Sequence, residues 1–131
     1  MKSDIEIKDD VFKIIKGSIL EQSVTGKLSK TRRPNNSNKE DIVISVLSSD
    51  ASEVQEAYVN VNIYVADNIR DNQAEENSIR CRELCNIAKV LFKVQRNDEY
   101  RITLDKQRIF EVEGKDEHMI NNKLLYKHLN E

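Results

Sequence analysis

The sequence predicts an α+β domain: one mainly antiparallel sheet covered by a long helix over about residues 73–93, with an N-terminal helix and a basic loop. Three observations predict it. Between Glu56 and Val65, Ala57, Val59, Val61, Ile63 and Val65 alternate with Glu56, Tyr58, Asn60, Asn62 and Tyr64. That two-residue period marks a strand with one face in a core. Further on, Cys81, Leu84, Cys85, Ala88, Leu91 and Phe92 recur at three- and four-residue intervals, one stripe of an amphipathic helix. The order of runs, α, β, β, β, long α and then β-rich, is that of helix packed on sheet.

Taken in order, Val11, Phe12, Ile14 and Ile15 place a first helix over about residues 8–20. Asp9 and Asp10 suit its positive end and Lys13 and Lys16 its later turns, while Gly17 either weakens the helix or caps it. Residues 22–28 have room for a short strand at Val24 to Leu28. Residues 29–41 form the most polar stretch, with Pro34 and the run Asn35-Asn36-Ser37-Asn38; Lys27, Lys30, Arg32, Arg33 and Lys39 make it basic. Turn formers and a local charge excess read as an exposed loop. It is either a solvated connection or a segment that orders against an acidic surface or nucleic acid.

Ile42 to Leu47 is apolar on both faces, an interior strand. Residues 48–54 are a polar link, so a hairpin with the Glu56 strand follows. The helix over 73–93 opens with Asp71 or Asn72 as its N-cap and would be ~30 Å long. Tyr100, Ile102 and Leu104 alternate, Asp105-Lys106-Gln107 reads as a turn, and Ile109, Phe110 and Val112 continue. After a break at Gly114-Lys115-Asp116, Met119 to Leu129 reads as a final strand, with a closing helix as its rival.

Composition bounds the function. A chain of 131 residues with one proline and three glycines is expected to fold as a single domain, 1–131, with the sheet and long helix over 42–131. The formal charge of -2 gives no global attraction to nucleic acid or anionic lipid, and no membrane partner is expected. No apolar run reaches the ~18 residues of a membrane span, and the acidic, amphipathic start does not resemble a signal peptide. Cys81 and Cys85 read as reduced thiols.

Cys81 and Cys85 stand four apart and could offer two legs of a metal site, with His118 and His128 as further donors. Their place on the apolar stripe favours core packing instead. Adjacent acids such as Glu75-Glu76 and Asp98-Glu99 fall at element ends, and no phosphate-loop or metalloprotease motif is present. No catalytic residue, cofactor or metal is therefore nominated, and no enzyme is expected. What stands out is the face opposite the core strand: Tyr58, Asn60, Asn62 and Tyr64, amides and phenols that suit a partner able to satisfy hydrogen bonds.

The layout resembles the small tail-completion, tail-terminator and head–tail joining proteins of tailed bacteriophages and prophages. The matching stretches are Val11 to Ile15, Asp41 to Leu47, Gln55 to Asp67, Ala88-Lys89-Val90-Leu91 and His118 to Tyr126. The resemblance implies a structural virion protein of the neck region, assembled in the bacterial cytoplasm as a ring of six or twelve copies. Its implied partners are copies of itself, the tail-tube protein, a connector or portal-side ring, and genomic DNA touched transiently in the channel. By position, the loop residues Lys27, Lys30, Arg32, Arg33 and Lys39 would reach a neighbour or the lumen. Tyr58, Asn60, Asn62 and Tyr64 would sit at a subunit contact or on the lumen side. A small nucleic-acid-binding or nuclease-like α/β domain is the alternative reading.

Overall fold

The computed structural model describes residues 2–51 and 54–129. It is mostly sheet, 43% strand against 26% helix, and its centre is a curled, mixed, six-stranded half-barrel. The elements in chain order are α1 (Asp4–Ile15), α2 (Ile19–Ser23), β1 (Leu28–Ser29), β2 (Ile42–Ala51), β3 (Val54–Ala66), β4 (Asn68–Arg70), β5 (Gln73–Glu75), α3 (Ser78–Leu91), β6 (Gln95–Arg96), β7 (Tyr100–Glu111) and β8 (Glu117–Leu129). The large sheet runs β1-β2-β3-β8-β7-β6, and β4-β5 is a separate hairpin. Among the described strand pairs, only β1–β2 is parallel. Residues 52 and 53, inside the link expected between the first two long strands, lie outside the described residues; β2 and β3 themselves extend to Ala51 and Val54.

The strand on which the sequence reading was centred is β3, and its register explains its composition. Ala57, Val59, Val61, Ile63 and Val65 are all buried, facing Tyr126, Leu124, Asn122, Ile120 and His118 on β8. Pairing on both sides puts β3 inside the sheet, with β2 beyond it. The helices pack on this same face: Ile7, Val11 and Ile15 from α1, Leu20 from α2, and Cys81, Leu84, Cys85 and Ala88 from α3 share one core with it.

The sheet is not covered by one long helix. At 14 residues, α3 spans about 21 Å, while the 13-residue strands β3 and β8 reach about 43 Å. Cover is therefore divided among three short helices. Residues 73–75, expected at the start of that helix, pair instead with 68–70. The reason is the turn between them. Asp71 and Asn72 have φ of 53° and 63°, the two left-handed residues of a type I′ hairpin turn, which suits Asp and Asn. They are not the N-cap; Asn77 is, accepting the backbone N–H of Arg80 at 3.1 Å.

The N-terminal helix likewise starts earlier than expected and splits. Ser3 and Glu6 form a reciprocal capping box, which moves the start to Asp4 and leaves Asp9 and Asp10 mid-helix. Gly17, with φ of 78°, ends α1, and Ser18 caps α2. The expected turn at Asp105-Lys106-Gln107 is a bulge inside β7, where pairing with β8 slips between Leu104 and Lys106. A second slip falls on β2 between Val46 and Ser48. The closing run is the strand β8.

Candidate functional site

The basic loop is pinned at two points by side chains from remote parts of the chain. The Arg33 guanidinium donates from Nε to Asp41 Oδ2 at 2.7 Å and from Nη2 to Glu117 Oε2 at 3.0 Å and the Lys39 carbonyl at 2.7 Å. Its Nη1 donates to Glu117 Oε1, completing a two-pronged grip on that carboxylate. Its plane lies over the Tyr64 ring, 4.1 Å from the centroid. Asp41 and Glu117 are both almost fully buried. Burial alone would raise the Asp41 carboxyl, but bonds from Ser37 Oγ, Arg33 and the Lys27 N–H outweigh it and hold it below its ordinary value. At the loop's end, Arg80 on α3 grips both Glu40 oxygens at 2.7 and 2.8 Å.

The five loop cations named from the sequence therefore divide. Arg33 is internal. Lys30 bonds Asp9 Oδ1 at 2.8 Å and lies over Phe12 at 4.8 Å. Lys27, Arg32 and Lys39 are exposed. Tyr58, Asn60, Asn62 and Tyr64 do share one face, the side of the sheet away from the helices, each half-buried among neighbours. Asn121 Nδ2 donates to Asn60 Oδ1 at 3.2 Å and Asn62 Oδ1 at 2.7 Å, and Lys123 Nζ lies 4.3 Å from the Tyr58 centroid.

Three concave regions accompany these features. One, about 770 Å3, is lined by Glu56, Arg96, Asn97, Asp98, Tyr100, Arg101 and Lys127. A second, about 730 Å3, is acidic, with Asp67, Glu75, Glu76, Glu111, Glu113 and Asp116 around His118. His118 Nδ1 lies 2.6 Å from Asp67 Oδ1. The third, about 380 Å3, is an apolar groove between α2 and α3, lined by Ile19, Leu20, Asn86, Ile87, Val90 and Leu91. Ile19 and Val90 on its rim are 69% and 80% exposed.

Among the described residues, no group of three or more His, Cys, Asp or Glu is arranged to hold a metal ion, and no helix is long and apolar enough to cross a membrane. Cys81 and Cys85 are buried free thiols; burial, then the Glu76 charge, pushes the Cys81 thiol up to about 11, which suppresses the reactive thiolate. His128 donates from Nδ1 to the Glu99 carbonyl at 2.7 Å. The sequence reading missed Arg101, Lys106, Arg108, Lys123 and Lys127, which β7 and β8 bring to the same face as Tyr58 and Asn60. It also missed the exposed apolar residues Ile69, Ile19 and Val90. An isoleucine two residues before an Asp-Asn turn was the one available signal. No protein-family model and no curated protein matches the chain.

Proposed function

We propose that this chain is a structural virion subunit of a tailed phage or prophage, a tail-terminator, tail-completion or connector-ring component that assembles head-to-tail around the DNA channel. One observation carries the reading. Two exposed apolar features lie apart: Ile69, 67% exposed on the β4–β5 hairpin, precedes the start of α3, whereas the α2–α3 groove involves its far half. Ile69 is not among the residues that line the groove, whose α3 part runs from Asn86 to Leu91. A contiguous apolar patch such as the groove marks protein contacts; Ile69 is a single exposed apolar side chain, as are Ile5, Leu47 and Ile79, and this reading assigns it to the groove. Unlike surfaces that meet make a heterologous contact, which closes into a ring when the rotation allows.

In this reading Ile69 of one copy seats in the groove of the next. The exposed cations Lys27, Arg32 and Lys39 reach a neighbour or the tail tube. The helix-free sheet face then looks toward the channel. Because Arg33 is committed to Asp41 and Glu117, Arg32→Ala is the clean probe of the loop. Native mass spectrometry over a concentration series, alone and with the tail-tube protein, tests the proposal. A discrete ring, formed alone or only with the tube, is expected, and Ile69→Asp or Val90→Asp should abolish it while the fold remains. A monomer indifferent to the tube would overturn it.

A further inference from the structure

Register gathers onto the helix-free face basic residues that are far apart in the sequence. At one end Arg96 faces Arg101, Arg101 faces Lys127, and Lys127 faces Glu56. Further along the same pair of strands, Lys106 faces Lys123, and next to it Arg108 faces Asn121. Like charges directly opposite each other across a strand pair are destabilising. Both Arg101–Lys127 and Lys106–Lys123 thus cost the isolated fold free energy.

Acids on and beside the face offset them only in part. Glu56 lies 3.7 Å from Lys127, Asp98 lines the same concave region as Arg96, Arg101 and Lys127, Asp105 stands in the bulge next to Lys106, and Asp41 and Glu117 are already held by Arg33. The whole chain carries -2, so the positive charge here is segregated. The two tyrosine rings on this face are covered by cations, Tyr58 by Lys123 at 4.3 Å and Tyr64 by Arg33 at 4.1 Å, and Phe110, 40% exposed, has Arg108 5.2 Å from its centroid. Covered rings present charge and not a bare π-surface, which suits phosphate better than a stacked base. Asn60 and Asn62 use their oxygens on Asn121, so their NH2 ends are the donors a backbone would meet.

We infer that this face binds the sugar-phosphate backbone of nucleic acid without reading base sequence. A polyanion laid along the Lys106–Lys123 and Arg101–Lys127 pairs relieves the repulsion that the fold otherwise carries, and releases counterions as it does so. The inference rests on the face alone and holds for a monomer as for a ring.

Fluorescence anisotropy with a labelled mixed-sequence DNA duplex, from about 50 to 200 mM salt, tests it. Saturable binding that weakens steeply with salt is expected, equal for two unrelated sequences. Lys106→Gln alone should melt about 2 °C higher, since it relieves the like-charge pair and leaves Lys123 over Tyr58; the variant for binding is the double Lys106→Gln, Lys123→Gln. It should bind roughly tenfold more weakly, with a salt slope shallower by about 2, near 0.9 per lost phosphate contact. Lys13→Gln, Lys89→Gln makes the same charge change on the helices and should bind like the unaltered protein. Absence of binding at low salt, equal losses in both double variants, or displacement by poly-glutamate as effective as by unlabelled duplex would overturn the inference; the last would indicate an acidic protein partner. The oligomer mass of the Lys106→Gln, Lys123→Gln protein, measured alongside, reports on the ring separately.

Discussion

Arg33 shows how much a single side chain can hold. Asp41 and Glu117, 1% and 3% exposed, have Arg33 as a shared cation, and removing it strands the buried charge of Asp41 and leaves Glu117 only Lys115 at 3.4 Å. Arg33→Ala should cost about 3–5 kcal/mol in a urea unfolding experiment, and Arg33→Lys should recover part, since a lysine lacks the two-pronged grip. Arg32→Ala, at an exposed site, should leave stability near that of the parent. The pH dependence follows from the same group. The Asp41 carboxyl sits below its ordinary 3.8, so the stabilisation it contributes is present above that value and is lost as pH falls through the lower, folded one. Unfolding free energy should therefore decline below about pH 4, and less steeply in Arg33→Ala. Gly26 supports the same carboxylate from behind. A Cβ there would meet Asp41 Oδ1 and come within 2.6 Å of the Glu40 carbonyl oxygen, so Gly26→Ala should cost about 2 kcal/mol, read from the thermal midpoint.

At the scale of elements, the β4–β5 hairpin depends on two left-handed residues. Asn72→Val puts a β-branched side chain where φ is 63°, at a cost of roughly 1–2 kcal/mol. It should open the hairpin alone: amide exchange at residues 68–75 should quicken while β3 and β8 stay protected. Asn72→Gly should keep it closed. The same hairpin marks where sequence reading stopped. Alternation in β3 and the stripe in α3 were legible because each is a property of contiguous residues. Asp71 and Asn72 suit a helix N-cap, and the residues after them, Gln73, Ala74 and Glu75, are good helix formers, so the helix is expected to start there; the left-handed turn that pairs them back onto 68–70 outweighs that preference. The bulge at Asp105 was illegible because it is fixed by pairing with Lys123 and Leu124, not by its neighbours in the chain.

For the whole molecule, what escaped the sequence is what folding juxtaposes. Arg33 and Glu117 are 84 positions apart, and nothing local to either announces the other. The net charge of -2 averages over two opposed regions, an acidic cleft around Asp67, Glu76, Glu111 and Asp116 and a basic sheet face along β7 and β8. Average composition therefore understated what one face offers a polyanion. The expected single covering helix is, in the folded chain, three short ones, and their division is what leaves a groove open between α2 and α3.

Ile69 and that groove are different surfaces, so a copy spoiled in one still offers the other. On the ring reading proposed above, Ile69→Asp and Val90→Asp chains should each fail to assemble alone and on mixing form a single pair, seen as a dimer by native mass spectrometry. On the same reading each spoiled chain should terminate the assembly of its intact siblings. Co-expressed as a minority, either should then depress the yield of the proposed ring by more than its share of the pool, a dominant defect from a chain that is itself well folded.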